Sequence, residues 1–406
     1  MIVLKKHAKI AILYFLIAAM LGLVLRLFPI SNIKAEYRFL VHTHSHIALL
    51  GWVYLALTTL IVKISIPRSK YKKYAVIFWC TQLTIIGMLI SFPFLGYALF
   101  SIIFSTLFIL CSYWFYVFFK QNHQLIKSKY SYKFINSSLL FMMLSSIGPW
   151  ALGIIMNTLG STSHWYKNAI YFYLHFQYNG WFIFCLIGIF MFILEKQSLK
   201  ISKKSLSIFY KLMLLSSILT LFLSFLWVKP TAIVYFVAGT GAIIQLIAVI
   251  IFTLNFKIFQ KEFRAIFGKI NYKILQFVYL LVIIKVAMQA LSAIPYFSEI
   301  TYQFLDFVIG YLHLVFLGII TLCIFVFFNI LKLLQLPKIW LFIYLLGFVL
   351  TEALIFYKGI SIWLRLDYSE HYVLYLVIVS SLLPIGIFGI SAKNFFTSAS
   401  TQLKSL

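Results

Sequence analysis

The stretch His42-Thr43-His44-Ser45-His46-Ile47-Ala48-Leu49-Leu50-Gly51-Trp52 runs straight into Val53–Val62, which contains no charged residue. An apolar run of this kind, entered through three histidines, is long enough to cross a bilayer. A spanning helix needs roughly 20 predominantly apolar residues. The same reading repeats along the whole chain of 406 residues, of which 63% are hydrophobic and 10% charged. Its mean hydropathy is +1.02. A water-soluble fold cannot carry so little charge, because it must cover its core with polar surface, whereas a lipid-facing surface must be apolar.

Working outward from 40–63, further apolar runs lie at about 10–29, 74–94, 96–119, 134–158, 168–194, 206–228, 231–256, 272–294, 302–330, 338–358 and 370–392. These predict an all-α polytopic bundle of about twelve helices, with residues 1–406 as a single transmembrane domain. The first run follows Lys5, Lys6 and Lys9 but lacks a small-residue cleavage site, so it reads as a retained helix. Pro230 and Pro337 mark expected helix starts.

The formal charge of +26 would suit a nucleic-acid binder, but its placement excludes that partner. With the N-terminus inside, 26 of the 34 Lys and Arg residues fall in cytoplasmic segments. Outside lie only Arg26, Lys34, Arg38, Lys167, Lys229, Lys358 and Arg365, while Lys285 sits within a span. Such asymmetry over short loops sets orientation: both termini cytoplasmic, in a bacterial-type inner membrane, with the lipid bilayer as the first partner. Cys80, Cys111, Cys185 and Cys323 stand singly inside apolar runs and read as packing residues.

Ionisable groups inside a bilayer are costly, which makes them functional candidates. Six of the nine histidines (His42, His44, His46, His175, His313 and His371) fall in the outer halves of the second, sixth, tenth and twelfth spans. Three share the spacing His-x-x-x-x-Gly: His46 to Gly51, His175 to Gly180 and His313 to Gly318. With glycine at 18 of 406 residues, chance would supply fewer than one such hit among nine histidines. Imidazoles from separate helices at one depth are what a bis-His haem requires. On a helix His42 and His46 share a face and His44 points away. His371, beside Asp367 and Glu370, suits a capping or surface role. Lys285 with Gln289 one turn on is a mid-span polar pair, open to a proton-path or a structural role. Asp306, seven residues before His313, is placed to support a ligand ring or to cap its helix.

These residues resemble a family, the catalytic subunits of haem-copper oxidases and nitric oxide reductases. His44-Ser-His-Ile-Ala-Leu-Leu-Gly-Trp52 is similar to the low-spin haem segment of the C-type oxidases. His175-Phe-Gln-Tyr-Asn-Gly-Trp181 resembles the nitric oxide reductase segment whose His binds the non-haem metal, and His313-Leu-Val-Phe-Leu-Gly318 resembles the low-spin haem ligand. Trp227-Val-Lys-Pro230 is similar to the region after the family's His-His pair. The resemblance implies one low-spin haem b held by His44 or His46 with His313, metal contacts at His42 and His175, and a proton-path or supporting role for Lys285, Asp306 and Tyr311. It also implies an electron donor protein or quinol, and an oxidoreductase-type role in electron transfer, O2 or NO handling. The 206–228 span has no histidine, so the family's His-His pair is missing, and Tyr311 stands where its high-spin haem ligand would be; both argue against copper. A second resemblance is to the NnrS family of haem- and copper-containing membrane proteins. The rival expectation is a metal or small-solute transporter with a His-lined outer vestibule.

Overall fold

A computed structural model describes residues 2–197, 199 and 201–403. Helix is the only regular secondary structure among those residues, with no strand. Twelve helices are long and apolar enough to cross a membrane: α1 (Val3–Ile30), α2 (Tyr37–Ser65), α3 (Arg68–Leu95), α4 (Leu99–Asn122), α5 (Tyr130–Thr158), α6 (His164–Glu195), α7 (Lys203–Val228), α8 (Ala232–Phe267), α9 (Lys269–Ser292), α10 (Leu305–Ile330), α11 (Lys338–Trp363) and α12 (Tyr372–Phe396). In a bilayer only such elements satisfy their own backbone hydrogen bonds. The helix starts carry their reasons locally. Pro337 is the residue just before α11, and Thr231, after Pro230, precedes α8. Both prolines therefore lie just outside the helix rather than at its first position. Ser163 and Ser202 accept the backbone N–H of Trp165 and Ser205 at the starts of α6 and α7.

The chain divides into two compact units, residues 1–124 with 324–406, and residues 125–323. The boundary falls inside α10. In the first unit, α11 and α12 approach through glycine. A Cβ at Gly386 would meet the backbone of Tyr344 at 2.7 Å, and one at Gly347 would meet Leu382 at 2.8 Å. Small residues of this kind let membrane helices reach van der Waals contact. The core of this unit is aromatic: Phe15 stacks on Trp52 at 4.8 Å and meets Phe325 and Tyr344 edge-on.

In the second unit, α5 lies along α6. Phe141 stacks on Phe176 at 5.6 Å, and Gly188 leaves room for Ile135. At the start of α5 the Glu195 carboxylate accepts both the N–H (3.1 Å) and the hydroxyl (2.5 Å) of Ser131. An anion there complements the positive end of the α5 dipole, which gives Glu195 a capping role. A short helix, Pro295–Gln303, joins α9 to α10.

Candidate functional site

Three of the spans contain π-helix. Residues Ile47–Tyr54 of α2, Phe176–Phe182 of α6 and Leu314–Ile320 of α10 form π-helix, and these are the only π segments among the described residues. Each begins on the residue after the histidine of a His-x-x-x-x-Gly motif, so His46, His175 and His313 each close an α segment. Gly51, Gly180 and Gly318 each hold the fifth π position. A π turn carries one more residue than an α turn, which widens the helix and rotates everything after it; such turns concentrate at functional sites. The same three spans are the most buried, with 83%, 72% and 72% of an 18-residue apolar stretch buried against at most 56% for the others. They recur every fourth span.

Glycine is required because the widened turn is pressed against the preceding helix. A Cβ at Gly51 would lie 2.9 Å from Tyr14 of α1, and one at Gly180 would lie 2.6 Å from Phe141 of α5. The tryptophan that follows is buried in both cases, Trp52 at 2% and Trp181 at 0% exposure.

In the first unit, Tyr14, Ala18 and Gly22 stand four apart and so share one face of α1. That face receives α2. Tyr14 meets Gly51. The His44 Nδ1–H donates to the Ala18 carbonyl at 2.8 Å, and the ring lies over Gly22, where a Cβ would come within 3.0 Å of Cε1. A carbonyl can only accept, so the proton is on Nδ1 and the Nε2 lone pair is left for another partner. His46 is held differently. Its Nδ1–H donates to the His42 carbonyl at 2.8 Å, one turn back on its own helix, and its Nε2 lies 3.4 Å from the Tyr97 hydroxyl. The His42 ring is on this side too, 4.7 Å from the Tyr97 ring. Also in this unit, Arg26 of α1 hydrogen-bonds to the Ser380 hydroxyl of α12.

In the second unit, His175 is 1% exposed and both its nitrogens are engaged. Nε2–H donates to the Ser217 carbonyl of α7 at 2.8 Å, and Nδ1 accepts from the Asn179 amide at 3.2 Å. Gln177 donates to Ser145 Oγ of α5 at 2.9 Å. His175 therefore clamps α6 to α7, and a metal would have to displace one of these bonds. His313 is half-buried. Tyr311 meets Tyr178 edge-on at 6.2 Å. Lys285 is 3% exposed and donates to Gln289 Oε1 at 2.7 Å. Asp306 lies in the first turn of α10. His371 is exposed, just before α12.

Sequence reasoning did not anticipate a cavity of about 270 Å³ in this unit, lined by Trp227, Lys229, Tyr235, Tyr296, Glu299 and Tyr302 among others. Lys229 and Glu299 pair there at 2.9 Å. The pairing raises the Lys229 pKa and lowers that of Glu299. Trp227 donates to Asn168 Oδ1 at 2.9 Å, stacks on Tyr302 and lies beneath the Lys167 ammonium. Among the described residues no three His, Cys, Asp or Glu side chains gather at one place. No protein-family model matches this chain, and no curated protein matches it.

Proposed function

We propose that this multi-pass membrane protein binds a b-type haem through the imidazole of His44, and works in electron transfer or in handling O2 or NO. The observation that carries this reading is the orientation of that imidazole. Ligating histidines almost always donate their other ring N–H to a carbonyl or carboxylate, which fixes the tautomer and the ring plane. His44 has this arrangement through Ala18, and Gly22 makes room for the ring. The free Nε2 lone pair of His44 is the kind of donor that would hold a haem iron. The resemblance also implies a haem-ligand role for His313, which closes the α segment of its own π-bearing helix, and that role is tested by itself. Haem supplies one-electron chemistry when bound. The protein's part is to hold a neutral imidazole in low-dielectric surroundings. The charge asymmetry supports cytoplasmic termini and, with them, an outer-half position for these histidines in an inner membrane, where an external electron donor or quinol would reach them. Reduction of O2 at a haem-copper pair is no part of the proposal, because the His-His pair is missing from the 206–228 span.

The test is colour. Protein produced with haem supplementation and purified in mild detergent should show a Soret band and sharp reduced α and β bands. His44→Ala should remove them while the helical circular dichroism stays; Gly22→Ala, which pushes on the ring, should shift or weaken them. A colourless wild-type preparation, or a spectrum indifferent to both His44→Ala and His313→Ala, ends the haem reading.

A further inference from the structure

The face of α2 opposite His44 carries Phe39, His42 and His46, spaced i, i+3 and i+7 and so aligned along one side. Against that side lies the turn between α3 and α4. Gly96 makes the turn with φ +57°, in the left-handed region, and packs so tightly that a Cβ would come within 2.3 Å of the Phe39 ring. The turn is pinned from beyond: the Ser101 hydroxyl donates to the Gly96 carbonyl at 2.5 Å and accepts from the Ala98 N–H at 2.9 Å. The effect is to hold Tyr97 over both histidines. Its ring centroid is 4.7 Å from that of His42 and 5.8 Å from that of His46, and Phe92 closes the other side at 4.4 Å from His46.

Two donors face each other. His46 has its Nδ1 proton on a carbonyl, so Nε2 presents a lone pair. That nitrogen is 3.4 Å from the Tyr97 oxygen, long for an O–H···N bond. Two donors each about 2.0–2.1 Å from a tetrahedral ion lie about 3.3–3.4 Å apart, so the separation is that of two ligands on one metal. His42, one turn back on the same face with its ring against that of Tyr97, is the third candidate donor, one side-chain rotation from the pair; histidines at i and i+4 on a helix are a standard pair for a single ion. Tyr97 is 46% exposed, which leaves an entry path.

We propose that His42, His46 and Tyr97 form a site for one Zn(II) or Cu(II) ion, completed by water. Two imidazoles and a phenol oxygen suit these cations and not Mg(II) or Ca(II), which take all-oxygen sites. The site uses the face of α2 turned away from His44, so it stands whether or not haem binds there. It also assigns His46 to the metal side of the helix and leaves His44 as the haem donor.

The experiment takes the full-length protein in detergent, stripped with chelator, and titrates it with ZnCl2 and CuCl2 separately. One equivalent should bind, with Cu(II) the tighter, and the Cu(II) electron paramagnetic resonance spectrum should show hyperfine coupling to two imidazole nitrogens. His42→Gln with His46→Gln should lower the affinity at least 100-fold. Tyr97→Phe should lower it about 10-fold, and His371→Gln should leave it unchanged. The His42→Gln variant alone guards against a folding failure, because the His42 ring hydrogen-bonds to no other described residue; it should unfold like wild type yet lose one nitrogen coupling. An equivalent retained by the double variant, or wild-type protein that binds neither ion, overturns the site. The Soret band, read on the same samples, reports on His44 independently.

Discussion

The π segments of α2 and α6 begin from the same motif, share the same backbone irregularity and place glycine at the same step, yet they use their imidazoles in opposite ways. On α6 both nitrogens of His175 are bonded within the protein, one to Ser217 of α7 and one to Asn179. On α2 neither His44 nor His46 hydrogen-bonds through more than Nδ1 at normal distance, and the Nε2 lone pair remains available. The motif His-x-x-x-x-Gly therefore encodes the shape of the helix: an α segment ending at the histidine, a widened turn, and a glycine that admits the neighbouring helix. Whether the imidazole is a ligand or a clamp is decided by the groups that the next helices bring to it.

The largest expected effect is on the clamp. His175→Ala removes the bonds to the Ser217 carbonyl and Asn179 and opens a cavity in a tightly packed place. Thermal unfolding in detergent should show a loss of about 2–4 kcal/mol. His42→Ala, on the more open side of α2, should fall within about 0.5 kcal/mol of wild type. Equal losses for the two would erase the distinction between the regions. Next come the glycines. Gly180→Ala and Gly51→Ala should each cost about 1–3 kcal/mol, because Phe141 and Tyr14 must give way. Similar values would confirm that the two π turns are built alike; a harmless Gly51→Ala would show that the α1 contact yields. His44→Ala should cost only about 1 kcal/mol in stability, the worth of its bond to Ala18, so its spectral effect would be out of proportion to its structural one.

The smallest effect concerns the exposed Lys229–Glu299 pair, a control outside both regions. Its lowered Glu299 pKa means any contribution is present above the ordinary carboxylate range and lost as pH falls through the lowered value. The raised Lys229 pKa loses its share as pH climbs past that value. Both side chains are solvent-exposed, so Glu299→Gln should move the unfolding temperature by no more than about 1 °C near neutral pH.

Much of the fold was legible in advance. The twelve apolar runs return as twelve helices, most ends displaced by a few residues, the start of α1 by seven and the end of α8 by eleven, because hydropathy and bilayer thickness are one-dimensional constraints. The His-x-x-x-x-Gly recurrence was legible as a pattern. Its meaning as π-helix was not, because a π turn leaves no hydropathy signature and is stabilised by packing. For His175 the sequence offered a metal donor; it could not reveal Ser217, 42 residues away, as the acceptor. Gly22 and Gly96 carried no signal either, since nothing local says which ring will lie over the missing Cβ. The Trp227 cavity was hidden for the same reason, its walls coming from segments some 70 residues apart.

The linear chain, then, determined how many times this protein can cross a membrane, the direction its charge asymmetry favours, and the height at which each histidine stands along its helix, for these follow from residue order and solvent alone. Tertiary packing decided which nitrogen of each imidazole remains available. That choice depends on single carbonyls and hydroxyls (Ala18, Ser217, Tyr97) positioned to within an ångström, and hydrogen bonds lose their strength over about that distance.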